Sequence, residues 1–299
     1  MKVSVLMPTY NHELFIAQAI ESFLTQQCDF EVELLIGNDA SSDNTLNIAK
    51  GFAEKFPEKI ILVNHKKNIG LIRNYKSLIN IAKGEYFAIL ESDDYWTDKL
   101  KLQKQVNFLD SHPSYGLSFT RWERLKDGEI TLRGDDSEIL KKYAKCLYER
   151  FLLRNIIKSP TVCFRRSMFE KYCHIDDYIR LNFKTFDFPV WLSLIRHSDL
   201  HYLSTSTAVY RSQGTSISNT SNVQERLLFE ENIIQIRRYI ISMYGSGSLS
   251  KFSITNRETI VKARHAFRLH KPILAAGIFL KGFLTNCIST FQQKNSKNS

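Results

Sequence analysis

The 299-residue sequence predicts an α/β fold with a doubly wound, mostly parallel sheet and a helical C-terminal appendage. Two observations support this class. Short apolar runs alternate with segments of helical periodicity through the first 95 residues, and polar loops follow the apolar runs. Apolar residues make up 43% and charged residues 24% of the chain, which excludes a disordered protein.

Four strands and three helices are predicted in the first third of the chain. Continuous β-branched runs predict strands buried on both faces, and apolar positions spaced by three and four residues predict the helices. In chain order these are strand 3–7, helix 13–27, strand 31–36, helix 46–56, strand 59–63, helix 75–83 and strand 86–90. In such sheets ligands bind at the carboxyl ends of the strands.

The next part of the chain predicts a less regular mixture. A loop is expected at 213–222, where Gly, Ser, Thr and Asn dominate and no apolar pattern remains. Before it come helix 98–111, strand 116–122, an exposed loop or hairpin 126–136, helix 138–154, strand 161–164, a helix from 168, helix 188–196 and strand 200–211.

Three carboxylates, Glu91, Asp93 and Asp94, directly follow the predicted strand 86–90. Acids at the end of a buried strand repel one another and are costly to desolvate unless a cation neutralises them. Oxygen ligands suit Mg²⁺ or Mn²⁺. The alternative is a solvated turn in which Ser92 and Asp93 cap a following helix. This segment alone leaves both interpretations open.

The basic charge is concentrated at the C-terminal end. From Glu225 onward there are 12 basic and 4 acidic residues, so this part carries +8 of the formal charge of +10. Helices are predicted at 225–244 and 256–291. They could lie on anionic lipid as amphipathic helices, or pack as a hairpin with a solvated basic face.

Cysteine content and hydropathy predict a cytoplasmic location. The five cysteines are odd in number and widely spaced, without a zinc-binding pattern, which favours a reducing compartment. No apolar segment reaches the roughly 18 residues that a membrane span needs. We therefore expect a cytoplasmic protein, either free or peripheral at the inner face of the cell membrane.

Four motifs, in order, resemble family 2 glycosyltransferases with the GT-A fold, over roughly residues 1–220. The resemblance implies inverting transfer of a sugar from a nucleotide-sugar, often a UDP-sugar, to a glycan or lipid-linked glycan in cell-surface polysaccharide synthesis, with Mn²⁺ or Mg²⁺. The motifs are Pro8-Thr9-Tyr10-Asn11, Asn38-Asp39-Ala40-Ser41-Ser42-Asp43, Asn68-Ile69-Gly70 with Arg73-Asn74, and Glu91-Ser92-Asp93-Asp94.

The resemblance also implies roles for matching residues. Asp187 corresponds to the general base, and Asp93 with Glu91 to the metal ligands. Asp39 corresponds to the acid that binds the nucleotide base, and Pro8 and Tyr10 to the segment against base and ribose. The remaining nucleotide-sugar positions are Asn68, Gly70, Arg73, Ser92, Asp94 and Arg211, of which Arg211 corresponds to a basic position on a closing loop.

By this resemblance, residues 1–222 form the catalytic domain and 223–299 a basic helical region. Within the domain, 1–95 would bind the nucleotide and 96–222 the acceptor. Four departures weaken the match: Asn38 and Ala40 replace an acid and a glycine, Glu91 stands where aspartate is commoner, Phe186 replaces a glutamate beside Asp187, and Gln213 stands where many relatives have histidine. Which residue completes the metal site is therefore open.

Other functions remain open at this stage. A nucleotidyltransferase would also hold a metal on phosphates, although it usually needs a basic, glycine-rich N-terminal loop that is absent here. A hydrolase would use paired carboxylates across the scissile bond. A non-enzymatic nucleic-acid-binding protein is suggested by the pI of about 9.3, but no aromatic-basic recognition motif appears. Asp39 and Asp187 could each simply cap a helix.

Overall fold

The computed structural model describes residues 1–133, 136–212 and 222–249, together with 258–260, 263 and 278. The chain separates into two compact units, one of residues 1–144 with 156–212 and one of residues 145–155 with 213–299. The expected loop 213–222, except for Asn222, and most of the expected helix 256–291 lie outside the described residues. The domain boundary near residue 222 stays a prediction.

The first half of the sheet is parallel, as the sequence predicts. Its strands lie in the order β3-β2-β1-β4, and β1 is buried at every position, which explains its continuous apolar sequence. The elements are β1 (Val3–Thr9), α1 (Ile16–Leu24), β2 (Val32–Asn38), α2 (Thr45–Lys55), β3 (Ile60–Asn64), α3 (Leu71–Ile81) and β4 (Tyr86–Ile89).

The second half of the sheet is mixed. From β4 the order continues β8-β6-β9-β5; β8 is antiparallel to β4 and β6, β9 is parallel to β6, and β5 is antiparallel to β9. β7 forms a hairpin with β6. These elements are β5 (Tyr95–Trp96), α4 (Lys101–Ser111), β6 (Tyr115–Lys126), β7 (Glu129–Arg133), α5 (Ser137–Lys142), α6 (Leu147–Leu153), β8 (Cys163–Arg165), α7 (Arg166–Tyr172), α8 (Ile175–Arg180), α9 (Asp187–His197) and β9 (Asp199–Arg211).

Two local predictions and one open alternative were wrong. The single helix predicted at 138–154 is two helices, α5 and α6, which belong to different units. α5 buries no residue, so no packed apolar face stabilises a continuation of this helix into α6. The strand predicted to begin at Thr161 begins at Cys163, after a 3₁₀ turn (Ser159–Thr161) that contains Pro160. The acids after β4 lead into β5 and not into a helix, so they do not cap one.

A buried polar network fixes the chain just before β8. Lys101 and Gln105 of α4 are fully buried, and the Lys101 ammonium donates to Gln105 Oε1 at 2.7 Å. Side chains of β5 and α4 bind three consecutive carbonyl groups: Trp96 Nε1 donates to Pro160 O at 2.8 Å, Gln105 Nε2 to Thr161 O at 2.9 Å and Lys101 Nζ to Val162 O at 3.3 Å.

The second unit is helical where it is described. α10 (Val223–Tyr244) begins at Asn222, whose side chain accepts a hydrogen bond from the backbone N–H of Gln224 at 2.9 Å. The hydroxyl of Tyr148 in α6 donates to the Gly245 carbonyl at 2.7 Å. Among the helices that could be assessed, none combines the length and apolar character needed to cross a bilayer.

The buried Lys101 gives folding stability a pH dependence. Burial lowers the pKa of Lys101 to about 7, whereas in an unfolded chain it is about 10.4. Between these values the unfolded chain binds a proton that the folded chain has released, so stability rises with pH above about 7. We expect the melting temperature of wild type, relative to Lys101→Met, to increase between about pH 6.5 and about pH 9.

The exposed Lys99, two residues earlier, provides the control. The wild-type and Lys99→Met melting temperatures should differ by a constant amount across this range. The same constant difference for Lys101→Met would contradict the prediction.

Candidate functional site

The candidate site lies at the carboxyl ends of β1, β2 and β4. The strands are in register, since Thr9 pairs with Asn38 and Leu6 with Ile89, so their following loops share one edge of the sheet. This edge is where parallel sheets bind ligands.

The loop after β4 gathers three acids. One carboxylate oxygen from each of Glu91, Asp93 and Asp94 lies within 4.8 Å of the others, and no other cluster of this kind occurs among the described residues. Asp94 is buried, and its Oδ1 accepts a hydrogen bond from the backbone N–H of Arg211 at 2.8 Å. Its Oδ2 is buried with no hydrogen-bond partner within the described part of the chain.

Burial and mutual repulsion govern the ionisation of this cluster. Burial, reinforced by the charges of Asp93 and Asp187, raises the pKa of Glu91 to about 8. Burial and the same kind of repulsion raise the pKa of Asp94 well above its usual range. An all-oxygen set with one unpartnered buried oxygen fits Mg²⁺ or Mn²⁺, which would displace the retained protons and offset the repulsion.

Arg211 holds the acid loop from the other side. It is 8% exposed, and its guanidinium donates to the Asp93 carbonyl at 2.5 Å and to the side chain of Gln18. The guanidinium also lies over the rings of Phe15 and Tyr95, at 5.0 and 4.7 Å from their centroids. The sequence suggested a closing loop for this residue. In the structure Arg211 is the last residue of β9, as the strand predicted at 200–211 requires, because its backbone pairs with Leu125 of β6. The closing-loop role stays a prediction.

Asp39 binds the loop that precedes α3. Its two carboxylate oxygens accept hydrogen bonds from the backbone N–H groups of Ile69 and Gly70, at 2.7 and 3.0 Å. Gly70 has a φ of 86°, which favours glycine at this turn. Each oxygen keeps a second lone pair. The structure thus brings Asp39 and Gly70 together, while Asn68 and Arg73 are exposed on the same segment.

The segment after β1 lies beside the acid loop. The buried Ser92 hydroxyl donates to the Pro8 carbonyl at 3.4 Å and lies 2.7 Å from His12 Nδ1. Tyr10 is 46% exposed, so its ring is available to a ligand. The contact between His12 and Ser92 joins positions 80 residues apart, so no local spacing in the sequence indicates it.

Tyr75 links the acid cluster to Phe186, the residue that precedes Asp187 at the start of α9. The Tyr75 hydroxyl donates to Glu91 Oε1 at 3.2 Å, and its ring stacks on Phe186 at a centroid distance of 4.0 Å. Burial and the charges of Glu91 and Asp187 raise the pKa of Tyr75 well above its usual range, so the phenol remains a donor. Asp187 also accepts a hydrogen bond from the hydroxyl of Thr185.

Lys158 is a cation of the site that the sequence did not reveal. Its ammonium lies 4.2 Å from the ring centroid of Tyr210 and 5.5 Å from that of Trp122. Burial lowers the pKa of Lys158, and the negative charges of Asp187, Asp94 and Glu91 oppose that shift. Lys158 is a single lysine in an irregular segment, so the sequence around it does not indicate that aromatic rings and carboxylates surround it.

Comparisons with known proteins agree with these features. The profile of Glycosyl transferase family 2 matches residues 4–173, more than half of the chain. An uncharacterised protein of Mycobacterium tuberculosis is 33% identical over 234 residues, covering 76% of this chain and 64% of that protein, so the chain spans less than two thirds of this relative. A Bacillus subtilis protein named as a teichuronic acid biosynthesis glycosyltransferase, TuaG, is 31% identical over 224 residues, covering 73% of this chain and 81% of that protein.

Two solved structures share the fold. The first 349 residues of Staphylococcus aureus TarS, in complex with UDP-GlcNAc, give a TM-score of 0.63 at 18% identity, covering 94% of this chain and 81% of that one. The mannosyltransferase PcManGT from Pyrobaculum calidifontis, in complex with GDP-Man and Mn²⁺, gives 0.54 at 15% identity, covering 98% and 88%. These similarities bear on the fold and confirm the GT-A prediction. The family profile and the Bacillus subtilis relative establish that the chain belongs to glycosyl transferase family 2.

Proposed function

We propose that this protein transfers a sugar from a nucleotide-sugar, a UDP-sugar in the first instance, to a hydroxyl of a glycan or lipid-linked glycan in cell-surface polysaccharide synthesis. The observation that carries the proposal is the acid cluster at the end of β4, which Tyr75 links to Phe186, the residue before Asp187. The UDP-GlcNAc of TarS and the teichuronic acid named for TuaG support the donor and pathway class.

Asp93 and Glu91 would hold Mn²⁺ or Mg²⁺, with the unpartnered Oδ2 of Asp94 available as a further ligand. A bound divalent cation supplies Lewis-acid stabilisation of the charge that develops on the leaving diphosphate. Arg211 keeps the acid loop in place through the Asp93 carbonyl and the Asp94 carboxylate.

Asp187 would act as the general base. It accepts the proton of the acceptor hydroxyl while that oxygen bonds to the anomeric carbon and the bond to the diphosphate breaks, with inversion. The sugar passes through an oxocarbenium-like state, as glycosyl groups do in hydrolysis. Phe186 cannot share this task, so the role rests on one carboxylate.

The nucleotide would bind along the edge formed by the loops after β1 and β2. Pro8 and Tyr10 would pack against base and ribose, and Asp39 would accept from the base through its remaining lone pairs. Arg73, Asn68 and Gly70 would contact the donor from the loop that Asp39 holds. Ser92, Asp94 and Arg211, on and beside the acid loop, would bind the diphosphate and the sugar.

Removal of the base should separate catalysis from binding. We expect Asp187→Asn to lower the rate of transfer by about 10²- to 10⁴-fold, the usual contribution of a general base. Affinity for UDP with Mn²⁺ should stay within about twofold by calorimetry. Asp176→Asn, at an exposed acid of α8, is the matched control. Wild-type turnover by Asp187→Asn would remove Asp187 from the mechanism.

Removal of the metal should abolish transfer reversibly. We expect EDTA to stop the release of UDP and added Mn²⁺ to restore it, and Asp93→Asn to lower activity by about 100-fold or more, since a catalytic metal contributes several kcal/mol. Glu85→Gln, at the opposite end of β4 and paired with Lys2 on the surface, is the control. Full activity in EDTA would overturn the metal assignment.

The reaction product distinguishes this function from nucleotidyl transfer. Incubation with UDP-GlcNAc, UDP-glucose, UDP-galactose and GDP-mannose, each with Mn²⁺ and oligosaccharide acceptors, should release the nucleoside diphosphate. Release of pyrophosphate from a nucleoside triphosphate and a sugar phosphate would instead identify a nucleotidyltransferase.

We also propose that residues 223–299 attach the protein peripherally to the inner face of the cell membrane. The support is their excess of basic residues, +8 of the net +10. The full-length protein should co-sediment with vesicles that contain anionic lipid and not with neutral vesicles, and binding should weaken in high salt. Equal binding to both vesicle types would contradict the proposal.

A further inference from the structure

The outer strand of the hairpin formed by β6 and β7 has a free edge. All five residues of β7 are exposed, and among the strands that the structure describes β7 pairs only with β6. A free edge is a template for pairing with another strand, and proteins often block it with proline or with charged side chains. The centre of β7, Ile130-Thr131-Leu132, contains neither, and Ile130 and Leu132 are 54% and 50% exposed. β7 is therefore open to a further strand.

The hairpin turn determines which backbone groups point to this edge. Asp127 and Gly128 both have positive φ, 52° and 82°, which is typical of a two-residue type I′ turn. The two residues that flank such a turn are joined by a hydrogen bond, and bonded and non-bonded pairs alternate from there along the hairpin. Every second residue of β7, starting with Glu129, therefore bonds to β6. Ile130 and Leu132 direct their N–H and C=O groups to the free edge.

The sequence of β7 is complementary to itself in the antiparallel direction. Two copies that pair about Thr131 place Glu129 of each copy opposite Arg133 of the other. The same alignment places Ile130 opposite Leu132, and these are the residues whose backbone groups point to the edge. Opposite charges and apolar side chains are favourable cross-strand pairs, whereas parallel pairing in register would bring like charges together.

Pairing in this register also separates apolar from charged side chains. Because side chains alternate along a strand, residues 130 and 132 lie on one face of β7, and residues 129, 131 and 133 lie on the other. The Ile130 and Leu132 side chains of two copies would form one apolar row across the new edge, which removes part of their exposed surface from water. A single two-fold axis thus satisfies the backbone, the charges and the apolar side chains together.

We propose that β7 is a self-association surface, at which two copies of this chain join edge to edge as antiparallel strands centred on Thr131. Ile130 of each copy exchanges two backbone hydrogen bonds with Leu132 of the other. A strand pair of five residues buries less area than a standard interface, so the dimer is weak and depends on concentration. The inference goes beyond the proposed function and does not depend on it.

A disulfide at the two-fold axis tests the register. The two copies of Thr131 form a non-hydrogen-bonded pair, in which Cα atoms lie about 4.5 Å apart, within the range of a disulfide. Thr131→Cys should therefore give a covalent dimer on a non-reducing gel after mild oxidation. Glu129→Cys should not, because its two copies are offset by about 14 Å along the strands. Wild type, oxidised in parallel, controls for the native cysteines.

Charge reversal tests the pairing independently. Glu129→Arg and Arg133→Glu should each weaken self-association by about 10-fold or more, because both charged cross-strand pairs of the dimer become repulsive. An equimolar mixture of the two variants should associate again, since every arginine then faces a glutamate, and so should the chain that carries both changes. Sedimentation velocity from about 10 to about 500 µM covers the range of a weak dimer. About 0.15 M salt limits the repulsion between two chains of formal charge +10.

Glu58→Arg is the matched control, because it changes the net charge as Glu129→Arg does but lies just before β3, at the opposite end of the strand order. It should leave self-association within about twofold of wild type. Circular dichroism and melting temperature verify that each variant folds. Four results would overturn the proposal: a wild type that stays monomeric throughout the range, equal cross-linking at positions 129 and 131, a mixture of the two charge variants that does not associate, or a Glu58→Arg effect as large as that of Glu129→Arg.

Discussion

Repulsion among the carboxylates at the end of β4 is the constraint on which the rest of the site depends. Glu91, Asp93 and Asp94 lie close enough to share a ligand, and burial makes their charges costly. Among the described residues, the fold neutralises them only in part, through Lys158 and Arg211. It fixes the loop mainly by hydrogen bonds, from the Arg211 backbone to Asp94 and from the Tyr75 hydroxyl to Glu91, and leaves a deficit of positive charge. That deficit is the property a metal-binding site requires.

The nucleotide side of the site is built without a glycine-rich phosphate loop. Instead, the carboxylate of Asp39 holds two successive backbone N–H groups of the loop before α3. Asp39 therefore has a structural task in addition to the base contact that we propose. A side chain also holds the backbone at Gly37. The amide of Asn74 lies in the space that a Cβ atom would fill, and it donates a hydrogen bond to the Gly37 carbonyl at 2.7 Å.

The sequence predicted those parts of the molecule that local patterns determine. The buried strands β1 and β4 follow from continuous apolar runs, and the acids Glu91 and Asp93 are visible because they end such a run. Lys158 and Tyr75 were missed because the residues around them come from distant segments of the chain. Tyr75 contacts Glu91, 16 residues later, and Lys158 contacts Tyr210 near the end of β9. The helix predicted at 138–154 failed because apolar spacing continues across a break that only packing reveals.

The hydrogen bond between Arg211 and Asp94 joins residues 117 positions apart, and β5, directly after the acids, pairs with β9 at a similar separation. During synthesis the acids therefore leave the ribosome long before the strand that anchors them. The parallel strands β1 to β4 can associate early, because they contact residues close to them in the sequence. The acid loop can be anchored only after β9 has been made. A nascent chain consequently lacks the ordered acid cluster until nearly all of the first unit has been made, so the cation that we propose for this cluster would bind only late in the translation of that unit.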